Sequence, residues 1–395
     1  MTRVTIQQPT LAKYRIPVFR ELGSRPDIDL TVIHGERADL PNEVAVGFRA
    51  QEATLRSGSV GVGPLFWHTP QWSSASRQRS DVLMLTWNVR YLSLVPGLMR
   101  ARAAGVPTIL WGHGYSKRET PMASWTRRTI TSLATALLFY NKTTANAYAE
   151  AGIPREKIFV ALNCLDQSSI EKATSEWKGQ ANDLSQFRSN QGLSSVPLIL
   201  YVSRLDPNNR IDLLIEAAAR LHQQNRVVQV AIIGSGDALT KLKALAAERG
   251  IAESVKFLGA IYDEHELASW FLSASVFCYP ENIGLSILHA FGYGLPVITS
   301  DHLEQQNPEI EALRDGQNGL LYRHQDVDHL AECLWRIVAD EDFKQKLSRQ
   351  ALATAKEDFT LKRMVDGMEA AIRYCVDSTR NRQETRIPSD TSNAH

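Results

Sequence analysis

Short apolar runs alternate with amphipathic stretches along most of the chain, a pattern typical of consecutive βαβ units. The strands predicted in the first half are 4–6, 30–33, 82–86, 108–111, 136–140 and 158–161. Those predicted in the second half are 198–202, 228–233, 256–258, 276–279, 297–299 and 319–322. Helical periodicity predicts helices over 211–224, 239–248, 264–273 and 285–293. The alternation indicates an α/β protein built on parallel sheets.

The same pattern predicts two α/β domains of similar size. Residues 1–170 contain the first set of strands, and residues 197–375 contain the second. Residues 171–196 are polar and lack a strand pattern, so we predict a linker there. Residues 376–395 are almost free of apolar side chains, which predicts a disordered tail.

Composition is that of an ordinary globular protein, with 44% hydrophobic and 22% charged residues among 395. The net charge of +1 argues against nucleic-acid binding. Charge is divided unevenly, however, with a net of +8 over residues 1–170 and −7 over residues 171–395. The basic first half favours an anionic partner, such as a membrane surface or a phosphorylated substrate. The alternative is chance clustering of solvated charge.

The cysteines and the lack of long apolar runs predict where in the cell the protein is located. The four cysteines, Cys164, Cys278, Cys333 and Cys375, are scattered without metal-ligand spacing, so we expect reduced thiols and a cytoplasmic protein. No stretch has the length and apolarity of a bilayer-spanning helix or of a signal-peptide core.

Several side chains that suit phosphate follow predicted strands. In YVSRLDPNNRIDLL, Arg204 comes directly after a strand and Arg210 lies at a helix start. Ligands bind beyond the carboxyl ends of parallel strands, and Arg forms bidentate contacts with phosphate. The alternative is two surface arginines. In IIGSGDAL, Gly234 and Gly236 lack the third glycine of a dinucleotide fingerprint, which disfavours an NAD enzyme and favours a tight turn near a ligand.

Two further residues are candidates for ligand contacts, although a lone histidine such as His113 can also be purely structural. His113 follows a strand and is flanked by Gly112 and Gly114, which would let a ligand approach the backbone. Glu281 precedes the helix predicted at 285–293. A carboxylate beside a phosphate site is suited to accept hydrogen bonds from neutral hydroxyls, which a sugar supplies. The alternative for Glu281 is a helix cap.

Together, these motifs resemble a known family. Arg204-x5-Arg210, Gly234-Ser-Gly236, and Glu281-x7-His289 with Gly294-x-Pro296 occur in that order, each at a predicted strand–helix junction. The chain resembles, over roughly residues 1–375, the retaining nucleotide-sugar-dependent glycosyltransferases of the GT-B type (family 4-like, glycosyl transferases group 1). This resemblance implies two Rossmann-like domains whose parallel sheets face each other across a cleft.

The resemblance also implies roles for individual residues. Arg204 and Arg210 match the pair that neutralises the donor diphosphate, Glu281 matches the first Glu of a Glu-x7-Glu motif that contacts the donor sugar, and His113 matches a histidine near the reaction centre. The implied substrate and nucleotide contacts are Gly234, Gly236, Gly259, Ala260, Ile261, Tyr262, Asn282, Gly284, Leu285 and His289. Gly284 and Leu285 would offer amides to the diphosphate, and 259–262 would hold the base. His289 replaces the family's second Glu, which binds the ribose.

The implied function is transfer of a sugar from a nucleotide diphosphate sugar to an acceptor hydroxyl. We expect no cofactor beyond this co-substrate and no metal, since no Asp-x-Asp lies on a suitable loop. The expected acceptor is a saccharide or a lipid-linked saccharide. The basic residues Lys117, Arg118, Arg127 and Arg128 favour docking on the inner face of an anionic membrane, and the alternative is a solvated helix face. The alternatives are a nucleotide-sugar 2-epimerase and a catalytically silent sugar-nucleotide-binding protein.

Overall fold

The computed structural model describes residues 1–36, 41–60, 63–116, 121–179, 181–193 and 196–384 of the chain. The chain forms two compact units. Unit 1 comprises Met1–Leu162 and Leu361–His395, and unit 2 comprises Asn163–Thr360.

Unit 1 is built on a seven-stranded parallel sheet and a separate hairpin. Its strands are β1 (Thr2–Gln8), β2 (Ile28–His34), β3 (Arg49–Glu52), β4 (Leu55–Val60), β5 (Gly63–His68), β6 (Val82–Thr86), β7 (Thr108–Gly112), β8 (Ala136–Phe139) and β9 (Ile158–Val160). The sheet has the order β3-β2-β1-β6-β7-β8-β9, and β4 pairs with β5 antiparallel. In the central register, Val4 lies opposite both Leu30 and Val82.

Five helices connect these strands. They are α1 (Ile16–Gly23), α2 (Pro70–Ser73), α3 (Leu94–Ala103), α4 (Pro121–Thr131) and α5 (Lys142–Glu150). Phe19 of α1, Trp111 of β7 and Phe139 of β8 are among the largest fully buried side chains. Because strands of a parallel sheet are covered on both faces, their apolar runs are continuous, as in the fully buried VLML of β6.

Unit 2 repeats the architecture with a six-stranded parallel sheet of order β12-β11-β10-β13-β14-β15. Its strands are β10 (Leu198–Val202), β11 (Gln229–Ile233), β12 (Val255–Gly259), β13 (Val276–Cys278), β14 (Val297–Ser300) and β15 (Gly319–Tyr322). Its helices are α6 (Ser168–Gly179), α7 (Ala181–Asn190), α8 (Ile211–Gln223), α9 (Leu239–Glu248), α10 (Glu264–Ser273), α11 (Ser286–Gly292), α12 (Val327–Ala339) and α13 (Glu341–Ala353). Both sheets are doubly wound, and the strand order reverses direction between β1 and β6 and between β10 and β13.

The last helix, α14 (Leu361–Glu384), returns to unit 1 and packs against α1, β8 and β9. Its close approach to β9 requires glycine at position 367, because a Cβ there would lie 2.1 Å from the Val160 carbonyl oxygen. Short turns of other helical types complete the chain: 3-10 turns at Lys13–Arg15, Arg155–Lys157, Pro207–Asn209, Ala252–Ser254, Leu303–Gln305 and Pro308–Ala312, and a π turn at Thr354–Asp358.

The twelve predicted strands and four predicted helices are present, but the predicted domain boundaries are wrong in three places. The predicted linker, 171–196, contains helices α6 and α7, which pack against α10 and belong to unit 2. The predicted tail is helical as far as Glu384, and residues 385–395 lie outside the described part of the chain. Unit 2 ends at Thr360 rather than at residue 375, because α14 covers the sheet of unit 1.

Candidate active site

The sheet of unit 2 places two of its loops side by side at the point where the strand order reverses. Arg204 and Arg210 belong to the loop that follows β10, and Glu281 belongs to the loop that follows β13. Strands β10 and β13 are parallel neighbours, with Ile199 opposite Val276, so both loops leave the same edge. This edge is where open parallel sheets bind ligands.

Buried hydrogen bonds hold the backbone of the β10 loop. The Arg204 carbonyl oxygen accepts hydrogen bonds from the Tyr201 hydroxyl at 3.0 Å and from Asn209 Nδ2 at 2.8 Å. Tyr201 and Asn209 are both buried, whereas the Arg204 side chain is exposed. The loop therefore presents a cation to solvent on a fixed backbone.

Three asparagines connect the β10 loop to the loops that follow β13 and β14. Asn282 Nδ2 donates to Asn209 Oδ1 at 2.9 Å, and Asn307 Nδ2 donates to the Asn282 carbonyl at 2.9 Å. Asn282 has a φ of 65°, in the left-handed region that Asn tolerates better than most residues. The amide that was predicted to contact substrate thus holds neighbouring loops together, and it carries Glu281 with it.

Among the described residues, Arg210, unlike Arg204, forms a salt bridge with a neighbouring carboxylate, that of Asp212. Its Nε lies 3.0 Å from Asp212 Oδ1, and a terminal guanidinium nitrogen lies 2.9 Å from Asp212 Oδ2. The hydrogen bonds to Asp212 raise the pKa of Arg210, and the charge of Glu281 acts in the same direction. The opposite charges of Arg210 and Glu281 therefore interact, and Asp212 neutralises the positive charge of Arg210.

Glu281 is a buried carboxylate, with only 4% of its surface exposed. Its Oε1 lies 2.5 Å from His324 Nδ1, and its backbone N–H donates to the Asn209 carbonyl at 3.2 Å. His324 follows β15 and approaches His302, which follows β14, with ring centroids 4.4 Å apart. Carboxylate and imidazole atoms of Glu281, His302 and His324 lie within 4.8 Å of one another, which makes them candidate metal ligands.

Gln306, which follows β14, forms hydrogen bonds that hold the segment between Glu281 and α11. The Ile283 N–H donates to Gln306 Oε1 at 2.8 Å, and Gln306 Nε2 donates to Thr299 Oγ1 at 3.1 Å. Gly284 and Leu285 stand at the start of α11, where the Gly284 carbonyl accepts the first helical hydrogen bond from Ile287. Their predicted position at a helix start is confirmed, and their contact with a diphosphate stays a prediction.

His289 is a packed side chain rather than an exposed one. Its ring lies 4.6 Å from that of Phe271, and only 18% of the side chain is exposed. His289 Nε2 lies 2.8 Å from Oε1 of Glu264, the first residue of α10. The hydroxyl of Tyr293 donates to the same oxygen at 2.5 Å. The position of the family's second Glu is thus occupied by an imidazole that contacts a carboxylate from another helix.

The loop predicted to hold the base, 259–262, is separated from Glu264 by Asp263, the N-cap residue of α10. Gly259 ends β12 with a φ of 74°, and its carbonyl accepts a hydrogen bond from the Gly234 N–H at 2.7 Å. Ala260 and Ile261 follow, and Tyr262 is 84% exposed. The structure therefore brings the 259–262 loop, Gly234 and the Glu264–His289 pair to one end of the sheet of unit 2.

The glycines after β11 are required by a neighbouring loop. Gly234 has a φ of 149°, and a Cβ there would lie 1.8 Å from the Ser203 carbonyl oxygen. A Cβ at Gly236 would lie 2.6 Å from the Leu205 carbonyl oxygen. The glycines thus let the β11 loop pack against the backbone on both sides of Arg204.

In unit 1, His113 is exposed directly after β7. Its ring lies 5.0 Å from that of Tyr140 and 6.1 Å from that of Tyr115. Beside it, the buried Arg15 guanidinium lies 4.7 Å from the Trp111 ring centroid and 5.0 Å from that of Tyr140. The predicted histidine therefore belongs to an aromatic cluster that contains a buried cation.

The prediction of a basic surface on unit 1 is wrong for Arg127. Arg127 is only 6% exposed, because it lies on the inner side of α4, so it adds no charge to the surface. Arg128 is exposed, and Lys117 and Arg118 lie outside the described residues. The exposed face of α4 also carries Met122 and Trp125, which are 76% and 68% exposed. In the described part of the chain, no helix has both the length and the apolarity to cross a membrane.

Sequence reasoning missed several residues of this region: Arg15, Asn209, Asp212, Glu264, His302, His324 and Asn307. A usable signal existed for three of them. His302 and His324 each lie two residues beyond a strand, as Arg204 does. Asp212, two residues after Arg210, was visible as a neighbouring carboxylate. Glu264 was not predictable, since its contact with His289 depends on how α10 and α11 pack.

Comparison with known proteins agrees with this arrangement. Residues 185–354 match the family described as glycosyl transferases group 1. Alpha-D-kanosaminyltransferase of Streptomyces kanamyceticus is 23% identical over 70% of this chain and 73% of its own length. The GDP-mannose-dependent alpha-(1-6)-phosphatidylinositol monomannoside mannosyltransferase of Mycolicibacterium smegmatis is 26% identical, over 62% of this chain and 64% of its own length.

Solved structures extend the likeness to both units. HepE of Anabaena in complex with UDP superposes with a TM-score of 0.69 at 17% identity, covering 94% of this chain and 100% of that one. A glycosyltransferase of Rickettsia africae gives a TM-score of 0.71 at 14% identity, covering 94% and 98%. At these identities the likeness establishes the fold. The match to glycosyl transferases group 1 therefore holds for residues 185–354, and the chain is a glycosyltransferase with the GT-B fold.

Proposed function

We propose that this glycosyltransferase moves a sugar from a nucleotide diphosphate sugar to an acceptor hydroxyl with retention of configuration, in polysaccharide or glycolipid biosynthesis. The observation that carries the proposal is the placement of Arg204, Arg210 and Glu281 on two adjacent loops where the sheet of unit 2 reverses direction. HepE with UDP and the GDP-mannose-dependent relative support a nucleotide-sugar donor.

Departure of the diphosphate is the step that needs charge stabilisation. The bond between the anomeric carbon and the phosphate oxygen breaks, the acceptor oxygen forms the new bond on the same face, and the acceptor proton passes to the leaving diphosphate. Arg204 and Arg210 are the cations placed to stabilise that leaving group. Arg210 would exchange or share its contacts with Asp212 when phosphate arrives, which is feasible because the pair is partly exposed.

Glu281 would hold the donor sugar. A carboxylate accepts hydrogen bonds from adjacent sugar hydroxyls, and contact with His324 fixes which oxygen of Glu281 faces inward. Burial of Glu281 removes competing water, which strengthens each hydrogen bond that it makes. His113 is assigned near the reaction centre by resemblance, and its exposure after β7 is compatible with that role.

The nucleoside end would be bound by Glu264 and His289 acting as a unit. The family's ribose-binding carboxylate is absent from α11, but Glu264 supplies a carboxylate 2.8 Å from the imidazole that replaces it. Glu264 also lies two residues after the 259–262 loop, which we assign to the base. A ribose diol next to this pair would find both an acceptor and a donor.

Unit 1 would bring the enzyme to a membrane-bound acceptor. Met122, Trp125 and Arg128 are spaced by three residues, so they lie along one face of α4. Exposed aromatic and apolar side chains beside a cation are typical of helices that dock on an anionic lipid surface. The acceptor would then be a lipid-linked saccharide on the cytoplasmic side.

The proposal is tested by incubating the enzyme with a panel of UDP-, GDP- and dTDP-sugars and measuring nucleoside diphosphate release with and without candidate acceptors. Acceptor-dependent release with one preferred donor is expected. Donor consumption that yields only the epimeric nucleotide sugar would instead identify a 2-epimerase. Absence of turnover despite nucleotide binding would identify a silent binding protein.

A further inference from the structure

Three potential metal ligands converge at the edge of the sheet in unit 2. Glu281 lies three residues beyond β13, while His302 and His324 each lie two residues beyond β14 and β15. These strands are consecutive neighbours and run parallel, so their carboxyl ends meet at one edge. One ligand atom from each side chain lies within 4.8 Å of the other two.

Ser300 contacts the backbone of His302 and the imidazole of His324. The His302 N–H donates to Ser300 Oγ at 3.0 Å, and the same oxygen lies 3.4 Å from His324 Nδ1. The His324 N–H donates to Asp301 Oδ1 at 2.9 Å. The backbone at both histidines is thereby fixed, and the two rings lie 4.4 Å apart before any ligand arrives, which lowers the entropy lost on binding.

The cluster contains polar groups whose burial is incompletely compensated. His302 Nδ1 is buried and has no hydrogen-bond partner among the described residues. Glu281 is 4% exposed, and its carboxylate contacts His324. A buried polar atom without a partner is unfavourable, as is a buried charge that is poorly paired. A bound cation would compensate both.

We propose that Glu281, His302 and His324 form a binding site for Zn²⁺. Imidazole nitrogen and carboxylate oxygen are zinc ligands, and three protein ligands leave a fourth position for water or for an oxygen of a ligand. Zinc–ligand bonds of about 2.0–2.2 Å in a tetrahedral site put the ligand atoms roughly 3.4 Å apart, so Glu281 Oε1 and His324 Nδ1 would separate by about 1 Å while the most distant atoms close by about 1 Å. The nearby Arg210 is already paired with Asp212, which limits its repulsion of a second cation.

The site has a consequence for activity that rests on the proposed function. Glu281 is the residue assigned to the donor sugar, and a zinc ion would occupy its carboxylate. Zinc and the nucleotide sugar would therefore compete for the enzyme, while the transfer itself uses no metal. The site makes the enzyme sensitive to free zinc, and a chelator restores activity.

The test is a calorimetric titration of ZnCl2 into the metal-stripped full chain, compared with His302→Gln and His324→Gln. His265→Gln is the matched control, because His265 is exposed on α10 and lies outside the cluster. We expect one zinc per chain, affinity reduced more than about tenfold in both cluster variants, and unchanged binding in the control. Loss of an outer partner alone weakens metal binding by roughly 10–100-fold. Thermal melts of each variant establish that it is folded.

Two results would overturn the proposal: no zinc binding by the wild-type chain, or equal affinity in folded His302→Gln or His324→Gln protein. Addition of the preferred nucleotide sugar is expected to weaken zinc binding. A chain that binds zinc through both histidines but turns over no nucleotide sugar supports the metal site and refutes the proposed function, so the two failures are distinguishable.

Discussion

Glu264 Oε1 lies 2.8 Å from His289 Nε2, so a carboxylate on α10 meets the imidazole that stands where the family has its second Glu. Tyr293 donates to the same oxygen at 2.5 Å. Burial, then the hydrogen bond to Glu264, raises the pKa of Tyr293, so this hydroxyl remains a donor throughout the neutral range. Position 289 is therefore adapted to a neighbouring carboxylate.

Restoring the family residue with His289→Glu is expected to destabilise unit 2. A second carboxylate would face Glu264 at hydrogen-bond distance, and two like charges in a half-buried site cost on the order of 1–2 kcal/mol. Thermal melts should show a lower Tm for His289→Glu and recovery in the double variant His289→Glu/Glu264→Gln. Equal melting temperatures for the single variant and the wild type would show that the pair is not coupled.

Removing either member of this pair should weaken binding of the preferred nucleoside diphosphate. Glu264→Gln and His289→Gln are each expected to cost about 0.5–1.5 kcal/mol, the value of one ordinary hydrogen bond. Titration calorimetry measures the effect, with His265→Gln as a control on the same helix as Glu264. If the variants have lower melting temperatures but unchanged affinity for the nucleoside diphosphate, Glu264 and His289 contribute to packing and not to binding.

Loss of either Arg204 or Arg210 should slow turnover. Arg204→Ala and Arg210→Asn are each expected to lower kcat by an amount equivalent to about 2–4 kcal/mol, by analogy with removal of one oxyanion donor. Asn is chosen at position 210 because Arg210 has a φ of 51°, which Asn tolerates better than Ala. Arg220→Ala, which removes a surface arginine paired with Asp328, is the control. Unchanged turnover in either site variant excludes that residue from leaving-group stabilisation.

A buried histidine in unit 1 makes stability depend on pH. Gln7 Oε1 accepts a hydrogen bond from Gln71 Nε2 at 2.9 Å, which turns Gln7 Nε2 toward His68 Nδ1 at 2.8 Å. His68 Nδ1 must therefore accept, and Nε2 donates to the Ala53 carbonyl at 3.3 Å. The ring is neutral in this arrangement. Burial lowers the pKa of His68 from 6.5 to about 4.

Stability of the folded chain should consequently fall as the pH drops from about 6.5 to about 4. In this window the unfolded state binds a proton that the folded state does not, so the free energy of unfolding decreases by up to about 3 kcal/mol. Denaturant unfolding between pH 4.5 and 7.5, compared with His68→Gln, measures the contribution of this residue. An identical pH dependence in the folded variant would contradict the assignment.

Membrane docking through α4 predicts flotation with anionic liposomes. The double variant Met122→Ser/Trp125→Ser should lose most of the recovery, because it removes the exposed apolar face of the helix. Val227→Ser, at a 52% exposed position of unit 2, is the matched control. Equal recovery from anionic and neutral liposomes, or full recovery of the double variant, would refute docking by this face.

The strands were predictable from sequence because parallel sheets bury both faces, which leaves continuous apolar runs such as LILYV in β10. β3 escaped prediction because its sequence, RAQE, is polar and mostly exposed at the edge of the sheet. α6 and α7 were mistaken for a linker because only part of their surface is apolar; Ile170 and Ala173 are buried against unit 2.

The candidate site was predictable where a residue follows a strand, as Arg204, Glu281 and His113 do. Its pairings were not, because they depend on long-range packing. The contacts of Glu281 with His324 and of His289 with Glu264 join residues 43 and 25 positions apart. The asparagine chain likewise joins Asn209 to Asn282 across 73 positions, and no local periodicity encodes such distances.

The most direct test of the proposed function compares wild-type enzyme with Glu281→Gln, using the preferred donor and acceptor identified from the panel. We expect kcat to fall by about a hundredfold, equivalent to about 2.7 kcal/mol, while the Kd for the free nucleoside diphosphate changes less than about twofold. The reason is that Glu281 contacts the donor sugar and not the nucleotide. Wild-type turnover in a folded Glu281→Gln variant would contradict the account.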